Sequence, residues 1–318
     1  MSASLSTHRR PLGHDRAQLI ETIDTKRLID AYRRKYAVAI GPLFEGIPGI
    51  GFYECAECGL GFFAPAVSGT AEFYSVLSRI PWYYLANKEE FRLAARRIKP
   101  DQHVLEVGCG RGEFARRLTR AAYTGLEFNP LAVTAAKEQG LDVRSENVEQ
   151  FAAEHADGFD AVCAFQVLEH VTDPASFIAA CAACTRPGGL IFFGVPNSAS
   201  FQGGSPDDLL NMPPHHLTWW NEGVFWRIAG QFGLEFVAAE SERLQGHHRG
   251  IYGHAFLARL LMRRLARGRR FLFDGALHRA VAQAARILKP LALVGISDPS
   301  FAPVGQTVLA VLRKPLST

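Results

Sequence analysis

Residues 104–114 read Val104-Leu105-Glu106-Val107-Gly108-Cys109-Gly110-Arg111-Gly112-Glu113-Phe114, and the fold turns on this stretch. An apolar strand runs into alternate glycines, and a helix is expected to follow. Glycines there let backbone approach a ligand closely, and the next helix points its first N–H groups at it. The spacing is Gly-x-Gly-x-Gly, not the Gly-x-Gly-x-x-Gly of dinucleotide-binding folds. Glu106 stands just before the loop. A carboxylate there repels a pyrophosphate and favours a cationic ligand with an amino group.

Outward from this loop, strands and helices alternate. A helix over 88–98 precedes strand one, 103–107, and another follows the loop with Phe114 and Leu118 inward. Then come strand 123–128, helix 130–139, strand 141–144, helix 148–155, strand 159–165, helix 174–184, strand 190–195, helix 222–232 and strand 234–239. A last strand covers 308–312. The strands are short and almost purely apolar, as in a parallel sheet covered on both faces. The pattern predicts a doubly wound α/β sheet. Glu127 ends strand two, where a carboxylate can accept both hydroxyls of a ribose. Asn147 and Val148 follow strand three. The Asn147 side chain and the Val148 backbone could meet an adenine edge, and Asn147 equally suits a helix N-cap.

These blocks resemble the class I S-adenosylmethionine-dependent methyltransferases. The resemblance rests on Glu106–Gly112, Glu127, the run Phe159-Asp160-Ala161-Val162 through Phe165-Gln166-Val167-Leu168-Glu169-His170-Val171, and Arg186-Pro187-Gly188-Gly189-Leu190. It implies a seven-stranded, mostly parallel Rossmann-like sheet whose last strand is antiparallel and lies between strands five and six. It implies S-adenosyl-L-methionine as cofactor, held by Glu106, Gly108, Cys109, Gly110, Gly112, Glu127, Phe128, Asn147 and Val148. Phe165 and Gln166 would lie near its methionine part. Asn147 departs from the pattern, since many members carry Asp there.

Methylating a hydroxyl releases a proton, so a base is sought. Asn211-Met212-Pro213-Pro214-His215-His216-Leu217-Thr218-Trp219-Trp220 resembles the Pro-Pro-His-His segment of quinone-biosynthesis-like and sugar-modifying methyltransferases. His216 and His215 are the candidate bases, with the tryptophans as apolar walls. His170 is a third candidate, and structural hydrogen bonding is the rival role for each. The run Pro81-Trp82-Tyr83-Tyr84 suits a lid over the methionine end or packing onto the core.

Cys55-Ala56-Glu57-Cys58-Gly59 looks like half of a zinc ribbon. A structural zinc wants four ligands. With only His8 and His14 upstream, a metal-free knuckle is expected. Upstream, one helix is expected over 15–38. Near the other end, residues 254–273 read as a helix with Phe256, Leu257, Leu260, Leu261 and Leu265 on one side and Arg259, Arg263, Arg264 and Arg267 on the other. A second helix, 277–288, is expected to pack against it. From Arg243 to Phe273 there are eight arginines and no acid. Such a helix can touch an anionic membrane or an acidic partner, or simply carry a solvated basic face.

The whole chain has 318 residues, is 48% hydrophobic and carries a formal charge of +4. That excludes a disordered chain or a collagen-like repeat, and the charge is too small to indicate nucleic-acid binding. Residues 1–16 hold no apolar run and no stretch of 18 apolar residues occurs, so a cytoplasmic protein with six reduced cysteines is expected. Three regions separate: an N-terminal helix and knuckle (1–85), the cofactor-binding core (86–240 with 307–318), and a basic helical insertion (241–306). The expected activity is methyl transfer to a hydroxyl or activated carbon of a small molecule, a sugar or glycolipid precursor among the options. The rivals are a non-catalytic cofactor-binding protein and a nicotinamide-dependent oxidoreductase.

Overall fold

The computed structural model describes residues 11–77, 79–80, 87–204, 208–244, 249–265, 271, 275–294 and 304–316. The run Pro81–Tyr84, His8 and Arg267 lie outside them. The chain begins with β1 (Ala17–Asp24), α1 (Thr25–Tyr36), β2 (Gly49–Cys55), β3 (Gly61–Ala64), α2 (Ala71–Leu77) and α3 (Glu89–Ala95). It continues with β4 (His103–Val107), β5 (Ala122–Leu126), α4 (Pro130–Lys137), β6 (Asp142–Arg144), α5 (Val148–Glu154), β7 (Phe159–Phe165), α6 (Pro174–Cys184) and β8 (Thr185–Pro196). The last elements are β9 (Thr218–Trp219), α7 (Glu222–Ile228), β10 (Glu235–Arg243), α8 (Arg249–Leu265), α9 (Ala276–Ala292) and β11 (Val304–Arg313).

Two compact units form. One comprises Met1–Arg79, Asn197–Trp219 and Arg243–Gln306; the other comprises Ile80–Pro196, Trp220–Glu242 and Thr307–Thr318. These divisions differ from the boundaries drawn by sequence texture: the knuckle region, the histidine loop and the basic insertion fall in one unit.

The second unit holds a seven-stranded sheet in the order β10-β11-β8-β7-β4-β5-β6. The inner pairs β5–β4–β7–β8 and β5–β6 are parallel, and β11 runs antiparallel to β8 with Val308 opposite Val195. The doubly wound sheet with its antiparallel last strand, expected from the sequence, is the observed one. Buried Phe91, Phe114, Phe165, Phe192 and Val311 form its core on one face. After the glycine loop the expected α-helix is absent. Only a single 3₁₀ turn, Ala115–Arg117, forms before Leu118 becomes extended and Arg120 turns left-handed at φ 60°. Nine residues, 113–121, separate Gly112 from β5, and the extended backbone at Leu118 ends the helical run after that one turn.

The first unit holds an antiparallel sheet, β1-β2-β3-β9. Rings of Phe52, Phe63, Trp219 and Phe271 pack together over it. The expected helix over 15–38 is corrected here: β1 occupies its first half, paired to β2 with Ile23 opposite Ile50. Leu19 and Ile23 are four apart, a spacing that fits both a period of 3.6 and a period of 2. Asp24 then caps α1, its side chain accepting from Arg27 N at 2.9 Å.

Candidate functional site

In the second unit the loop leaves β4 with Gly108, Gly110 and Gly112 at φ +72°, +54° and +78°. That region penalises any Cβ. A side chain on Gly108 would also meet Val167 Cγ2 at 2.4 Å, whereas nothing lies within 4 Å of one on Gly110. Gly110 therefore leaves open space beside the backbone. Its N–H donates to Glu127 Oε2 at 2.9 Å, and Asn129 N–H donates to Glu127 Oε1 at 2.8 Å. Two backbone amides thus fix the carboxylate. An ionised carboxylate has about four acceptor positions, so capacity for two hydroxyls remains.

Glu106 is 2% exposed and accepts from Tyr123 Oη at 2.5 Å. Burial pushes its carboxyl up to about 8, with Glu127 adding to the rise and Tyr123 and Lys88 opposing it. Tyr123 is a site residue that the sequence reading missed. The signal was present: Gly125 pairs with Glu106 while Tyr123 pairs with Val104, so both face one side. The missing side chain at Gly125 gives the Tyr123 ring its path, since a Cβ there would lie 3.3 Å from Tyr123 Oη. Glu90 was missed as well. It is 3% exposed, its carboxyl is raised by burial, and its Oε1 accepts from Gln166 Nε2 at 3.2 Å. Gln166 is held left-handed at φ 59°, its N–H on Gly194 O at 2.7 Å.

Other predicted residues have different placements. The Phe165 ring packs against Phe91 and Phe114 at 5.0 and 4.8 Å, so it serves the core. Cys109 is buried against Ala136 and Val143, and burial pushes its thiol well up. Phe128 is 64% exposed. Asn147 caps α5, its Oδ1 accepting from Gln150 N at 2.7 Å, and Val148 is buried. That oxygen is committed to the cap, which leaves the side-chain amide and the backbone of this segment for an adenine edge. His170 lies in a 3₁₀ turn with Nε2 3.7 Å from Glu169 Oε1, and burial raises Glu169 to about 8.

Buried acids of this kind give a pH prediction. A carboxyl whose folded value is raised adds stability that is full below its unfolded value and is lost as pH rises through the folded one. With Glu106 and Glu169 near 8 against 4.5, the ligand-free protein should lose stability between about pH 4.5 and 8, on the order of a few kcal/mol. Thermal melts of Glu106→Gln should show a flatter decline over that window; an unchanged slope would contradict the assignment.

In the first unit the histidine loop is tightly built. Pro213-Pro214 is a cis peptide, and Tyr32 Oη donates to Leu209 O at 2.6 Å and to Met212 O at 3.2 Å. His215 is 5% exposed with Nδ1 2.7 Å from Leu210 O. His216 is half-buried with Nδ1 3.0 Å from Asn211 Oδ1. The two rings stack at 4.5 Å and 26°. An acceptor oxygen at Nδ1 calls for the proton there, which makes Nε2 the basic nitrogen of each ring. The tryptophans are not walls of a cavity but core. Trp219 packs on Phe52 and Phe63, and Trp220 is fully buried against Phe225 in the second unit. Asn211 also anchors the loop through its carbonyl, which accepts from Trp219 Nε1 at 2.9 Å.

A family model described as a methyltransferase domain matches residues 82–260, more than half of the chain. A ubiquinone biosynthesis O-methyltransferase of Salmonella typhi is 40% identical over 149 residues, covering 40% of this chain and 60% of the relative. One from Salmonella arizonae is 45% identical over 102 residues, covering 30% of this chain and 42% of the relative. The chain thus spans less than two thirds of the curated relatives it matches. A solved structure of a SAM dependent methyltransferase from Archaeoglobus fulgidus aligns with a TM-score of 0.50 at 17% identity, over 76% of this chain and 100% of that one. That likeness speaks to the fold.

Proposed function

Because this chain belongs to the class I S-adenosylmethionine-dependent methyltransferases, we propose that it transfers a methyl group from that cofactor to a hydroxyl of a small molecule. The observation that carries this reading is the loop at 108–112, where left-handed glycines surround a carboxylate fixed by two amides, directly after a buried acid. The residues fit the cofactor. Glu90, Glu106 and Glu169 are buried acids held above their ordinary range, an environment that a cationic ligand relieves. Glu127 accepts the ribose hydroxyls, Phe128 offers an exposed ring to the adenine, and Gln166 faces the methionine end. The cofactor supplies a methyl on a sulfonium whose positive charge disappears on transfer.

His216 takes the acceptor proton at Nε2. It is favoured over His215 because it is the more exposed of the stacked pair. His170, beside buried Glu169, has a structural role. A hydroxyl is favoured over activated carbon because the relatives are O-methyltransferases by name. Phenolic hydroxyls of quinone precursors lead the acceptor classes, and hydroxyls of sugars or glycolipid precursors follow. A panel of catechol-type phenols and glycosides, scored for S-adenosylhomocysteine release, tests the order. Turnover on phenols above that on sugars is expected; the reverse would reassign the acceptor.

We also propose that α8 touches anionic lipid. The expected face is corrected: Leu257, Ala258 and Met262 pack on Val281 and Ala285 of α9, while Phe256, Leu260 and Leu265 are exposed alongside Arg259 and Arg264. The period was right and its phase was not. No described helix is long and apolar enough to cross a membrane. Co-sedimentation with phosphatidylglycerol vesicles should fall on Phe256→Ser with Leu260→Ser, and should be weak with neutral vesicles. Equal binding to both vesicle types would remove the proposal.

A further inference from the structure

We propose that His14, Cys55 and Cys58, three donors that the described residues bring together in the first unit, form a zinc site. From the sequence the cysteine pair had only His8 and His14 upstream, and a metal-free knuckle was expected. The fold supplies a third donor. Because β1 pairs with β2, Ala17 lies opposite Cys55, and Ala56 N donates to Arg16 O at 3.0 Å. The residues just before β1 are thereby carried to the cysteine turn. Glu57 Oε1 fastens them there by accepting from Asp15 N at 3.2 Å and Arg16 N at 3.3 Å. Leu12, 3% exposed, anchors the segment upstream. As a result His14 Nδ1 is 3.2 Å from Cys55 Sγ, and the three ligand atoms lie within 4.8 Å of one another.

The turn between the cysteines is shaped for a thiolate. Cys55 N and Gly59 N bond to Leu60 O and Cys55 O at 2.9 Å each, and Gly59 is left-handed at φ +79°. Cys58 N donates to Cys55 Sγ at 3.5 Å. Zinc bonds of about 2.3 Å to sulfur and about 2.0 Å to nitrogen place tetrahedral ligand atoms roughly 3.5–3.8 Å apart, close to the spacing present. Two thiolates and an imidazole suit zinc and not magnesium or calcium. The cysteines are 7% and 1% exposed, so a bound ion would be shielded from the side of the hairpin.

The test uses the full chain, reduced and purified without chelator. Elemental analysis should find about one zinc per chain. Cobalt in its place should give thiolate-to-metal charge-transfer absorption in the near ultraviolet. Cys55→Ser should lose the metal. In competition with a chromogenic chelator, His14→Ala should weaken zinc by at least the about 10- to 100-fold typical of supporting groups, and His14→Cys should restore it. Circular dichroism checks that each variant is folded. Wild-type protein with far less than one zinc and no cobalt band would overturn the site. Full affinity in His14→Ala would overturn the three-ligand assignment even if the cysteines bind metal.

Discussion

Replacing His216 with alanine is expected to lower turnover about 100- to 10,000-fold, the usual loss for a general base. Cofactor affinity should be nearly unchanged, because the loop that carries His216 is distinct in sequence from the glycine loop, Glu127 and Gln166. His215→Ala should cost far less in rate. Its Nδ1 is bonded to Leu210 O and its ring lies against Phe73 and Tyr74, so its loss should appear first as a lower melting temperature. Asn211→Ala gives an internal control: it removes the oxygen that sets the His216 tautomer and should lower turnover less than His216→Ala does. If both histidine variants keep near wild-type turnover on the true acceptor, the base lies elsewhere, with His170 next to be tested, or the acceptor needs none.

Glu127→Ala should weaken S-adenosylmethionine by about 1.5–3 kcal/mol, or roughly ten- to a hundredfold, the scale for hydrogen bonds to a charged group. The structure adds a reason for the larger end. The carboxylate that would accept the ribose also holds the amides of Gly110 and Asn129, so its removal loosens the loop as well as deleting acceptors. Glu127→Gln separates the two effects, since it keeps one acceptor oxygen and loses the charge. Calorimetry on a folded Glu127→Ala protein with unchanged affinity would end the assignment.

What the sequence made legible follows from where one pattern had no competitor. The strands 103–107 and 159–165 and the helix 174–184 were read with the observed bounds, because apolar runs there are closed by Gly108, by Gln166 in a left-handed turn, and by Pro174 after the capping Asp173. The place of the antiparallel last strand between strands five and six came from the family pattern, and the sheet has it. Failures share a cause as well. Leu19 and Ile23 fit two periods, and only pairing with β2 decided for a strand. The face of α8 turned on which residues meet α9, a choice of phase that periodicity leaves open. Trp219 and Trp220 were assigned to a site by their place in a loop, yet Trp219 packs on Phe52, far away in sequence, and Trp220 on buried Phe225. The same limit hid Glu90 and left open whether His14, named upstream of the cysteines, reaches them. Each gains its role from a neighbour more than 40 residues distant, Gln166 at 76 and Cys55 at 41.

The most direct measurement is a single-turnover assay with methyl-labelled S-adenosylmethionine and saturating acceptor, in which labelled product and S-adenosylhomocysteine are both counted. The account predicts one labelled methyl on an oxygen of the acceptor for each S-adenosylhomocysteine formed, at a rate that falls at least about 100-fold in His216→Ala. Tight cofactor binding with no label transferred to any hydroxyl, or label found on carbon, would contradict it.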